Sequence, residues 1–267
     1  IRLSEENENV AQIREPAVAG MFYPDDPLLL QQQMEGYLDE TESSGEIPKA
    51  LIVPHAGYVY SGPVAASAYR QLVPARKQIT RVVLLGPAHR VGFQGLAASS
   101  AEYFNTPLGL VTVDQDALDA ILRLPQVHVL DEAHREEHSL EVQLPFLQQV
   151  LGNQFKLLPL VVGEANGREV SEVLEILWGG NETLILISSD LSHYEDYDTA
   201  HHLDQATSQA ITQLNPEAID YHQACGRNPV SGLLLAARHH HLKARVLDLR
   251  NSGDTAGSRD RVVGYGA

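Results

Sequence analysis

The sequence is short of several things, and each shortage removes a class of protein. Cys225 is its single cysteine, which excludes an intramolecular disulfide scaffold and makes a reducing, cytoplasmic setting the expectation. Basic residues are scarce: 19 Lys and Arg stand against 35 Asp and Glu, a formal net charge of -16. That balance repels nucleic-acid phosphate and anionic membrane surfaces. No Lys/Arg stripe, zinc-finger spacing or basic-aromatic alternation offsets it locally, so neither nucleic acid nor membrane is an expected partner. No apolar run reaches the length of a membrane span, and the first 20 residues lack the basic start and apolar stretch of a secretory leader. The glycines form neither a dinucleotide fingerprint nor a phosphate loop, and Ser61, Ser139 and Ser189 lack a nucleophile elbow.

What remains reads as one large α/β domain. Hydrophobic residues make up 43% of the 267 and charged ones 20%, enough for a sizeable core under a polar surface. Residues 1–13 read as a loose acidic arm and 14–267 as one continuous domain, with no linker or repeat inside it. Continuous apolar runs at 50–53, 79–85, 155–162 and 183–188 predict buried strands, and the windows 27–38, 64–72, 139–150, 169–178, 199–214, 216–224 and 230–240 predict helices. Gly57 to Pro63, which holds two glycines and a proline, reads as a loop before the second helix. Pro145 requires an early-helix position or a kink.

Three of the apolar runs deliver polar residues just past their ends: Val53-Pro54-His55, Leu85-Gly86-Pro87-Ala88-His89, and Ser188-Ser189-Asp190-Leu191-Ser192-His193. An open α/β sheet gathers ligands beyond the carboxyl ends of its strands, so one shared site is expected. Imidazoles and a thiolate bind iron, copper or zinc, and His55, His89 and Cys225 are the candidate ligands. Asp190 is placed to organise such a site and His193 to move a proton. Tyr58, Tyr60 and His138 are candidate substrate-facing residues. Structural roles fit the same residues: His55 capping a turn, Cys225 as a small buried apolar residue, His138 supporting a helix start, the tyrosines packed. A cysteine nucleophile assisted by His193 or His138 is a further alternative.

The motifs Pro54-His55-Ala56-Gly57-Tyr58, Leu85-Gly86-Pro87-Ala88-His89, Glu136-Glu137-His138-Ser139-Leu140-Glu141, Ser188-Ser189-Asp190-Leu191-Ser192-His193-Tyr194 and Cys225-Gly226-Arg227, in this order, resemble the Memo-like protein family. That family includes bacterial proteins called AmmeMemoRadiSam system protein B. The resemblance implies a single three-layer α/β domain with a mostly parallel mixed central sheet, similar to class III nonhaem-iron extradiol dioxygenases. Family metal positions match His55, His89 and Cys225, pocket positions match Asp190 and His193, and His193 resembles the dioxygenase acid-base histidine. Those dioxygenases use two histidines and a carboxylate, so sulfur at Cys225 is a departure, and Asn228 stands where some members carry histidine. The implied cofactor is iron or copper, with zinc as a third candidate, and the implied activity is redox chemistry on an unknown substrate. Peptide binding or complex assembly with AMMECR1-domain and radical-SAM proteins is the alternative.

Overall fold

The computed structural model describes residues 10–267. Its strands are β1 (Ile13–Arg14), β2 (Ala50–Val53), β3 (Arg81–Pro87), β4 (Leu96–Ala98), β5 (Tyr103–Thr106), β6 (Gly109–Val113), β7 (Val127–Val129), β8 (Lys156–Val162), β9 (Thr183–Ser188), β10 (His193–Glu195), β11 (Leu249–Asn251) and β12 (Val262–Gly266). The α-helices are α1 (Pro27–Asp39), α2 (Tyr58–Tyr69), α3 (Gln115–Ile121), α4 (Asp131–Arg135), α5 (His138–Glu141), α6 (Leu144–Leu151), α7 (Gly167–Leu177), α8 (Tyr197–Thr212) and α9 (Arg227–His239).

The main sheet runs β1-β5-β6-β8-β3-β9-β2, with β4 joined to β8 and β7 to β4, and its centre, β8-β3-β9-β2, is wholly parallel. Only β5 with β6 and β4 with β8 pair antiparallel within it. Strand periodicity explains the layers. Val82 and Leu84 of β3 and Leu184 and Leu186 of β9 face a core shared with α1, α2 and α6, while Val83, Leu85, Ile185 and Ile187 face one shared with α3, α7 and α9. A strand buried on both faces must be apolar at every position, which is why these runs were legible without alternation. The mixed, mostly parallel α/β sheet between two helical layers agrees with the expected fold class. No helix among the described residues is long and apolar enough to cross a membrane.

Two local expectations need correction. α2 starts at Tyr58, six residues earlier than its pattern indicated, because Gly57 takes the N-cap and Pro63 is accommodated inside the helix. The helix expected over 216–224 is only a 3-10 turn, Pro216–Ala218; there Asp220 N–H donates to Gln223 Oε1 and Tyr221 N–H to Asp220 Oδ1, side-chain bonds that compete with helix. Residues 1–9 of the expected arm lie outside the described residues, and Ile13, at its end, pairs with Tyr103 in β1. The sequence from 139 to 150 resolves into α5 and α6, with Pro145 in the first turn of α6 where its missing N–H costs nothing.

Candidate metal centre

The chain lays down β2 and β3 in succession and inserts β9 between them afterwards. Because all three are parallel, the loops leaving them open onto one edge, and His55, His89 and Asp190 each lie two residues past a strand end. His138 arrives from the side, as the first residue of α5.

His55 is 1% exposed. Its Nδ1 lies 2.8 Å from Ser188 Oγ. Ser188 Oγ donates its proton to Ser139 O at 2.6 Å and accepts from Gln143 Nε2 at 2.9 Å. The serine proton is therefore committed, so His55 Nδ1 must be the donor and its Nε2 carries the bare lone pair. His89 is fixed by the same logic. Glu137 receives the His89 backbone N–H at 2.6 Å and His89 Nδ1 at 2.8 Å, and also the Ser139 N–H. Burial raises the Glu137 carboxyl, but hydrogen bonding and charge from His89 outweigh that and hold it at about 2. An ionised Glu137 accepts only, so Nδ1–H of His89 donates and Nε2 is left for a ligand.

The donor atoms of His55, His89 and His138 all lie within 4.8 Å of one another. The ring of His138 stacks on that of His89 with centroids 4.5 Å apart, and Phe22 covers it at 4.7 Å. Burial, then the neighbouring imidazoles His55 and His89, lower His138 to about 4; burial, then chiefly His89, lowers His55 to about 3. Both rings are neutral at physiological pH, the form that binds metal. Close-set imidazoles, two of them anchored through Nδ1, fit a borderline transition ion.

The remaining expected residues are arranged around this trio. Asp190 is buried; its Oδ1 accepts the His55 N–H at 2.8 Å and its Oδ2 stands 3.8 Å from His55 Nε2. Burial raises its carboxyl, and the His55 N–H only partly offsets that. Cys225 Sγ lies 3.3 Å from His55 Nε2, where the thiol proton meets the bare lone pair. Burial, then the Asp190 charge, push this thiol up to about 12. His193, on β10, hydrogen-bonds Leu191 O through Nδ1 at 2.8 Å, leaving Nε2 free beside Tyr194, whose φ of 62° is unusual for a side chain of that size.

Two placements differ from the sequence expectation. His138, expected on the substrate side, brings a donor atom within 4.8 Å of those of His55 and His89, while Cys225, expected among the ligands, places Sγ 3.3 Å from His55 Nε2, on the lone-pair side of that ring. Tyr58 is turned into the core, 3% exposed, packed on Phe146 with its hydroxyl donating to Val142 O at 2.6 Å, so it does not face a substrate. Tyr60, two residues further along α2, is 41% exposed. Asn228 donates to Gly163 O and thus ties α9 to the loop after β8. Glu137, Ser188 and Gln143 were given no role from sequence. A signal existed for Glu137, an acidic residue immediately before a helix start, and for Ser188, the polar end of an otherwise apolar strand.

The sequence profile of the Memo-like protein family matches residues 14–267. The chain belongs to that family. It is similar to a MEMO1 family protein of Aquifex aeolicus, 39% identical with 95% of this chain and 97% of that one covered. MEMO1 family proteins of Aeropyrum pernix and Ignicoccus hospitalis are 38% and 36% identical, each over 96% of this chain and 99% and 97% of theirs. A crystal structure of an uncharacterized Escherichia coli K12 protein aligns with TM-score 0.47 and 13% identity, covering 81% of this chain and 98% of that chain. Memo-family membership therefore rests on near full-length sequence similarity, and the histidine cluster that can hold a metal rests on the geometry.

Proposed function

We propose that this Memo-family protein is a metal-dependent redox protein whose iron or copper is held by His55, His89 and His138, with the sulfur of Cys225 beside the site. The observation that supports this most is the anchoring of two imidazoles through Nδ1, His55 by Ser188 and His89 by Glu137, which leaves Nε2 of each for a ligand in a cluster whose donor atoms, with that of His138, lie within 4.8 Å of one another. Bound iron or copper would supply one-electron and Lewis-acid chemistry; zinc suits the same donors without the redox step. Around it, Asp190 orients the loop of His55 through that residue's N–H. His193, held by Leu191 O, presents Nε2 to accept or return a proton at the substrate. A cysteine nucleophile fits less well, because a thiol pushed to about 12 is almost wholly protonated at neutral pH.

The test is reductant-driven dioxygen uptake by protein reconstituted with iron(II) or copper. Uptake is expected to scale with occupancy and to vanish in His89→Ala. In His193→Ala occupancy is retained and turnover falls by about 100-fold or more, the usual range for a lost acid-base group. Turnover indifferent to metal removal, with a peptide or protein partner still captured by metal-free protein, would instead favour a binding role.

A further inference from the structure

α7 and α9 pack side by side, and their contacts advance together along both chains. Gly167 touches Ser231 and Leu235, Gly232 fits against Val170, and Glu175 meets His240. The helices therefore run parallel and bring their carboxyl ends together. The start of α9 follows Cys225 at the histidine cluster. Its 13 residues carry the other end roughly 20 Å away, at about 1.5 Å per residue.

At that far end Glu175, His239 and His240 offer donor atoms that all lie within 4.8 Å of one another. His240 Nε2 is 2.8 Å from Glu175 Oε2, and the two side chains are 29% and 34% exposed, open enough for an ion to enter. The His240 ring lies flat on Trp178, with centroids 4.1 Å apart and planes 4° from parallel, which fixes its direction. His239 stands next to it with ring centroids 5.0 Å apart. The carboxyl end of α9 meets that of α7 here; Lys49 Nζ already donates to Trp178 O and Gly180 O just past α7, so the end of α9 is the dipole end that favours a further cation. Two imidazoles and a carboxylate, with room for water, are the donors of a borderline divalent ion.

We propose that Glu175, His239 and His240 form a second metal site, for a divalent transition ion of the zinc or nickel type, that clamps the ends of α7 and α9. The competing explanation is a plain His240–Glu175 ion pair closing the helix ends. It gives His239 no part, and that difference separates the two.

Trp178 is the only tryptophan in the chain, so its fluorescence reports this corner alone. Untagged protein carrying His55→Ala and His89→Ala, which removes the first site, is titrated with nickel(II), an open-shell quencher. Saturable quenching at one nickel per chain, reversed by zinc, is expected. Losing even an indirect partner of a ligand costs about 10–100-fold in affinity, so His239→Ala and Glu175→Gln, each added separately, are expected to weaken binding by roughly tenfold or more. His239→Ala leaves the His240–Glu175 pair and the tryptophan stack in place, so a folding defect is not its expected effect; circular dichroism verifies this. Unsaturable quenching, or a midpoint unmoved by His239→Ala, overturns the proposal.

Discussion

Glu141→Ala is expected to destabilise the protein by about 3–5 kcal/mol, the cost of leaving a buried charge without its partner. Glu141 is 1% exposed, and Arg14 Nη1 lies 2.5 Å from its Oε2. The same carboxylate accepts the backbone N–H groups of Ala17 and Val18 and the hydroxyl of Tyr23. Removing it orphans a buried guanidinium and three further donors at once. Arg14 also donates to His134 O and Glu137 O, so the network joins the first described strand to α4, to the residue that caps α5 and to the last residue of α5. Urea denaturation measures the loss. Because α5 carries His138, the variant is also expected to bind metal less tightly. A stability change below about 1 kcal/mol would mean that this network contributes little beyond an exposed pair.

The second large effect is expected at Glu137. Glu137→Gln keeps the size of the side chain but puts an amide where a carboxylate accepts the His89 Nδ1–H and two backbone N–H groups. Partners that orient a metal-bound histidine are worth about 10–100-fold in affinity, and a loss in that range is expected for iron or copper by chelator competition. The linkage sign follows from the direction of the shift. Glu137 is depressed to about 2 by folding, so its contribution to native stability is present above the ordinary carboxylate range and disappears as pH falls toward about 2. In Glu137→Gln that part of the acid sensitivity is absent. An affinity unchanged from wild type would show that His89 is not oriented by this carboxylate.

The parts of the fold that could be read from sequence were those with one dominant physical signal. Ala50–Val53 and Thr183–Ser188 emerged with their observed bounds because each is a short apolar run, fully buried in the second strand and buried at alternate positions in the first, that ends where polar or proline residues begin. Gly57 to Pro63 misled because glycine and proline signal a break locally. In the fold, Gly57 caps the helix and the small Gly62 admits Tyr37 against it. At the site, strand-end position alone pointed to His55, His89 and Asp190. The approach of His138 to His55 and His89 depended on where α5 lands, and α5 is held by the Arg14–Glu141 network, more than 120 residues apart in the chain. Such a pairing leaves no local pattern. The orientation of each imidazole likewise depends on Ser188 and Glu137, residues whose role appears only once the serine proton has been traced to Ser139 O.

The central claim is that His55, His89 and His138 hold one redox metal, and elemental analysis tests it most directly. Untagged protein is purified without oxygen in a His239→Ala background, so that the helix-end cluster does not contribute, and compared with chains that add His55→Ala or His138→Ala. One iron or copper per chain, lost from both variants while circular dichroism shows them folded, is the predicted result. A parent chain that carries no iron or copper and takes up neither when they are supplied would contradict the account, as would full retention of the metal in His138→Ala.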